Sequence, residues 1–311
     1  MGLATLVGLD SDTLGPRFSL VSLLPTSAGT LVVAFVVAAG APGEQPGWDE
    51  AVRTARTLDA SDVALLGVAV LVVAVVLHPL QLQLVRLLEG YWGTGWLAAR
   101  ITAPLVARQR NARQALIERA TLDPATTDPA ATSVPADAAV ADQVRRARYP
   151  SDPLLPTALG NALRAAERSA GRRYGLDAVV LWPRLYPIVP PAQRAVVEDR
   201  RDQLDLTARM CATFAGVAVV TAALLWRYPL WWLLPLGVLA LSVLAYRSAV
   251  AAALSYGEAL HVTFDLYRFD LLAALHLPLP ADNAAERQQN KALSTWLRQG
   301  GPAPEAYRHL D

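Results

Sequence analysis

Glu258, His261 and Asp265, in the run YGEALHVTFDLYRFD, stand at positions i, i+3 and i+7. On an α-helix that spacing places all three on one face. Two carboxylates flanking an imidazole are metal-ligand types, so this face is a candidate metal site. A Glu-x-x-His turn is also one part of a di-iron bundle, which needs a second copy and glutamates from two further helices. The chain has four histidines, His78, His261, His276 and His309, and only His261 has a glutamate three residues before it. The plainer expectation is a polar helical face opposite Leu260, Phe264, Leu271 and Leu272.

A second stretch, YGLDAVVLWPRLYPIVPP at 174–191, gathers aromatic rings, an arginine and four prolines. Trp182, Arg184 and Tyr186 are residue types enriched in binding hot spots, which makes them candidates for docking a protein partner. The prolines exclude a continuous helix and a central strand. We expect DAVVLW to be extended and a proline-punctuated turn to present the three side chains. The competing expectation is packing beneath neighbouring helices or against lipid headgroups, which rings with polar tips favour. Catalysis fits poorly, because the stretch lacks His, Cys and Ser and its one carboxylate, Asp177, has no acid partner.

What elements would hold such groups? The 311 residues are 53% hydrophobic and only 18% charged, against about 25% charged in ordinary soluble proteins. Mean hydropathy is positive. The composition therefore predicts a membrane protein, with the lipid bilayer as its first partner. A net charge of +1 gives no global basic field for nucleic acid. The single cysteine, Cys211, allows neither an intrachain disulfide nor a Cys-x-x-Cys pair. Walker, G-x-G-x-x-G, H-E-x-x-H and G-x-S-x-G motifs are missing, and no cofactor is expected.

A bilayer core of about 30 Å takes about 20 mostly apolar residues in helix. Four segments are expected to qualify: about 19–41, 62–84, 210–226 and 229–246. Trp226, Tyr228, Trp231 and Trp232 cluster at the last turn, as aromatic rings do at the membrane interface. The first segment carries Pro25 and an AGA triplet at 39–41, so a cleaved signal peptide competes with an anchor. Its long, base-poor leader favours the anchor. Pro79 is expected to kink the second span near His78. Span cores almost free of ionisable groups argue against a transport path within one copy. A channel would need a homo-oligomer.

Arginines flank the long connection 93–209, whereas 42–61 sets Arg53 and Arg56 against four acids. Positive flanks stay in the cytoplasm, which predicts both termini cytoplasmic in the cell (inner) membrane. The expected organisation is all-α and polytopic: 1–92 with two spans, 93–209 as a cytosolic helical module, 210–248 as a transmembrane hairpin, and 249–311 as a helical tail. Residues 121–143, rich in Ala, Thr, Asp and Pro, are expected to be a flexible linker. A helix is expected at 157–173 from Thr157, another from Pro191 straight into the third span, and a last one capped at Asp282 or Asn283. Leu293, Trp296 and Leu297 should fold that last helix back. Arginine pairs at 145–146, 172–173 and 200–201 suit anionic lipid better than nucleic acid.

The blocks LLPTALGNALRAAE, RRYGLDAVVLWPRLYP and FDLYRFDLLAALHLPLP, with nearly every base an arginine, resemble uncharacterised integral membrane proteins of high-GC bacteria. That resemblance implies a membrane location and no activity. The leading expectation is a membrane-anchored interaction or regulatory component rather than an enzyme. A channel or transporter subunit, and a metalloenzyme using the 258–265 face, are the alternatives.

Overall fold

The computed structural model describes residues 24–77, 81–93, 95–121, 134–151 and 153–300. The kink expected at His78 and Pro79, and His309, lie outside the described residues. Among the described residues every regular element is helical: α1 (Leu24–Ala38), α2 (Trp48–Thr57), α3 (Ala60–Leu77), α4 (Gln81–Glu89), α5 (Trp96–Ala120), α6 (Val134–Arg148), α7 (Ala158–Ser169), α8 (Ala178–Leu185), α9 (Pro191–Leu224), α10 (Leu233–Ala274) and α11 (Asn283–Gln299). Short 3-10 turns stand at Arg172–Tyr174, Tyr186–Ile188 and Pro229–Trp232. The chain divides into two compact units, Met1–Leu87 with Asp202–Ala249, and Leu88–Arg201 with Val250–Asp311.

In the first unit, the apolar parts of α9 and α10 belong to the two described helices long and apolar enough to cross a membrane, by length and composition. The other two expected spans are shorter as described. The 15 residues of α1 cover about 22 Å at 1.5 Å per residue, and the 18 of α3 about 27 Å. Helix α1 approaches α9 closely at Gly29, where a Cβ would lie 2.8 Å from Val217 Cγ2 and 2.9 Å from Thr213 Cγ2. Val36, Ala41 and Leu225 form a small core beneath Tyr228 and Trp231. Helix α2 docks on α1 through Trp48 and Phe35, whose rings are 5.6 Å apart, and through Thr54, whose hydroxyl donates to the Ala38 carbonyl. Ser242 donates to the Cys211 carbonyl at 2.8 Å, joining α9 to α10.

The second unit has its own core of Phe264, Leu181, Leu185, Leu271, Leu272 and Leu293, each at most 1% exposed. Its helices begin where short polar side chains can take up the orphan N–H groups. Thr157 accepts from Gly160 N, Asp177 from Val179 N, and Asp282 from both Ala284 N and Ala285 N. Pro191 opens α9, which runs on unbroken to Leu224, as the sequence implied. Leu293 is fully buried, and Trp296 and Leu297 pack on the same core. Buried Asn161 ties the preceding loop down twice, accepting from Leu155 N at 2.7 Å and donating to Leu155 O at 2.9 Å.

Three local expectations need correction. Of the linker expected over 121–143, residues 122–133 lie outside the described residues, and 134–143 are the first part of α6, which packs along α5 and α7. Alanine favours helix, Asp137 lies in the first turn, and Arg145, Arg146 and Arg148 crowd the last, where each charge suits the helix dipole. DAVVLW is likewise helical rather than extended. Asp177 caps it, and Ala178, Leu181 and Leu185 fall on one buried face, so packing outweighs the bond forgone at Pro183. The helix expected over 157–173 stops at Ser169, because Gly171 has φ +70° and starts a tight turn.

Candidate functional site

The face bearing Glu258, His261 and Asp265 does line a cavity, of about 770 Å³, in the second unit. Helix α10 supplies these three, α7 supplies Ser169, the 3-10 turn supplies Arg173 and Tyr174, and α6 supplies Asp142 and Arg146. Gly257 lets α10 come this close to α7, since a Cβ there would lie 2.7 Å from the Ala166 Cβ.

The three sequence candidates do not converge. Among the described residues no group of three His, Cys, Asp or Glu side chains could hold a metal ion. The reason is geometric: seven residues along a straight helix separate Glu258 from Asp265 by about 10 Å of rise. Each then finds its own surroundings. Asp265 accepts a hydrogen bond from the Tyr174 hydroxyl, and Glu258 is exposed.

His261 has a definite partner. Its Nε2 lies 2.8 Å from Ser169 Oγ, and that hydroxyl is also 2.5 Å from the Ala165 carbonyl one turn back. A hydroxyl has one proton to give. Given to the Ala165 carbonyl, it leaves Nε2–H of His261 to donate to Ser169; given to Nε2, it leaves that carbonyl to its helix. In either arrangement the pair is a polar staple between α7 and α10. Burial pushes His261 below the usual imidazole range, while the charges of Asp265 and Glu258 pull it the other way. Tyr174 is pushed up, first by burial and then by its bond to Asp265.

Beside this cavity stands a cluster that local spacing did not signal. Arg268 lies 4.1 Å from the Tyr174 ring centroid and 4.2 Å from that of Phe269, and its Nε donates to Glu286 on α11. Tyr174 and Glu286 come from elements remote in sequence, so no periodicity in α10 marks them.

The aromatic stretch is mostly packing. Trp182 is half-buried, its ring 5.6 Å from Tyr186 and 6.3 Å from Phe264. The Tyr186 hydroxyl donates to Glu198, and Arg194 lies 5.1 Å from the Tyr186 ring centroid. Of the three docking candidates only Arg184 is exposed, with Nη1 donating to the Val180 carbonyl. Protein-family models, curated proteins and solved structures provide no match to this chain.

Proposed function

We propose that the chain is a four-span protein of the inner membrane, both termini cytoplasmic, serving as a membrane-anchored interaction or regulatory component. One observation carries this reading: the first unit turns its apolar side chains outward. Leu65, Val219, Leu230 and Leu233 are 70–83% exposed, and only 28% of the apolar window of each long helix is buried. A helix in a soluble core buries such a surface, whereas one in lipid does not. The second unit has an independent core and charged outer faces, which suits water. The arginine-rich flanks of 93–209 support its cytoplasmic side. Within the second unit, the exposed edge at Arg184 is the contact point we assign to a protein partner.

The experiment has two parts. Gln45→Cys and Glu118→Cys variants are exposed to an impermeant maleimide on intact spheroplasts. Labelling of residue 45 alone before lysis supports the orientation, and the opposite pattern overturns it. Crosslinking in native membranes then compares the wild type with Arg184→Glu, a surface change that spares the core. A partner lost from the variant at equal membrane level supports docking. An identical set of captured proteins removes Arg184 from the reading.

A further inference from the structure

A second cleft in the second unit, about 840 Å³, is strongly basic. Arg164, Arg168 and Arg172 line one side, from α7 and the turn after it, and Lys291 and Arg298 line the other, from α11. Among the described residues, two carboxylates lining the cleft, Glu167 and Asp177, face them. Asp177 is already paired with Arg298. Desolvation pushes Glu167 above the usual carboxylate range, against the pull of Arg164 and Arg168.

The way the arginines are held matters more than their number. Arg164 donates to the Pro153 carbonyl at 3.0 Å and reaches the Tyr91 hydroxyl at 3.4 Å. Arg172 donates to the Ser151 hydroxyl at 3.2 Å. These acceptors are neutral, so they fix the guanidinium groups without cancelling their charge. A fork held in place loses less freedom on meeting an oxyanion.

The sequence pattern points the same way. On α7, Arg164 and Arg168 set like charges four residues apart, a spacing that weakens a helix, and Arg172 adds a third from the turn that follows. The first part of α9 does the opposite, setting Arg194 four before Glu198 and Arg201 four before Asp205. Guanidinium forks and an ammonium converging from two helices match the oxygens of a phosphate group.

We infer that this cleft binds a phosphate-bearing ligand, between α7 with its following turn and α11. The phosphate belongs either to an anionic phospholipid headgroup or to a soluble phosphorylated molecule, and the test separates the two. The detergent-solubilised full chain is titrated with inorganic pyrophosphate by calorimetry. In parallel, native mass spectrometry counts retained phosphatidylglycerol against phosphatidylcholine.

Saturable binding of pyrophosphate identifies a soluble source, and selective retention of phosphatidylglycerol identifies the headgroup. In either case Arg172→Gln/Lys291→Gln should weaken binding about tenfold or more, since charge-assisted bonds are the strong ones. Arg110→Gln/Arg119→Gln removes equal charge from exposed positions on α5, outside the cleft, and should leave binding unchanged. Lys291→Gln alone alters one exposed side chain and should still weaken binding measurably, which keeps the test open if the double variant fails to fold. Equal losses in both double variants, or no saturable binding of either probe, would overturn the assignment.

Discussion

The Nε of Arg268 donates to the Glu286 carboxylate at 2.8 Å, and the Glu286 side chain is only 4% exposed. Arg268 itself is flanked by the Tyr174 and Phe269 rings. One ion pair thus ties α10 to α11 over the core that contains Leu293. A charge buried this deeply is costly once its partner is removed.

Arg268→Ala leaves the buried Glu286 carboxylate without its partner and should therefore destabilise the second unit by about 3–5 kcal/mol, the usual effect of breaking a buried pair. The joint change Arg268→Met/Glu286→Leu should lose less than either single truncation, because no orphan charge remains. Thermal unfolding in detergent, followed by near-ultraviolet circular dichroism, measures all the variants. Purely additive losses would show that the two side chains are not coupled.

Acid should weaken the staple between α7 and α10. Burial holds the His261 pKa in the folded protein below the usual imidazole value of about 6.5. As pH falls through 6.5, the unfolded chain takes up its proton first, and stability declines until the lowered native pKa is passed. Above 6.5 this contribution is fully present. Asp265 and Glu258 from α10, Arg173 and Tyr174 from the turn, and Asp142 and Arg146 from α6 share the cavity. A His261→Gln variant, whose amide can still bond Ser169, should show a flatter melting temperature between about pH 7 and 5. Equal slopes in the two proteins would assign the acid sensitivity to other groups.

Gly160 marks a contact with no room for a methyl group. A Cβ there would stand 2.1 Å from the Glu89 carbonyl oxygen and 2.8 Å from Leu155 Cδ1. Gly160→Ala should cost about 1–3 kcal/mol, as overpacking against backbone does. Gly216→Ala, where nothing lies within 4 Å, should be neutral or slightly stabilising by helix propensity. Melting temperatures of the pair decide the matter, and equal behaviour would contradict the close approach.

Cys211, 5% exposed in the first unit, has its sulfur 3.6 Å from Ser242 Oγ. A maleimide should leave the folded wild type unlabelled and react fully once detergent denatures it. Rapid labelling of the folded protein would mean that α9 and α10 do not enclose the thiol. The expected silence makes the wild type a clean background for single-cysteine topology mapping.

The sequence displayed its helix starts because they depend on one or two adjacent residues. Thr157 and Asp282 cap through bonds within their own turn, and Pro191 opens a helix, whereas the cap at Asp177 was hidden by the prolines that follow it. The side on which Leu293, Trp296 and Leu297 pack was equally legible from spacing. Helix α6 was not, because its alanine-rich run buries little beyond Ala141 and draws its support from packing on α5. The polar contacts were also hidden. Ser169 and His261 are 92 residues apart, and the second side of the Arg268 cluster comes from another helix. Residue types and spacing located the 258–265 face, but only the fold shows what each of its side chains meets.

Lys291 is the only lysine in the 311 residues, and it stands exposed on the wall of the basic cleft. A lysine-specific protease therefore has one bond in the whole chain to cut, within α11. Amine acylation has one side chain to modify. The rate of either reaction follows the state of a single wall of the cleft, without an introduced probe, in membranes as readily as in detergent.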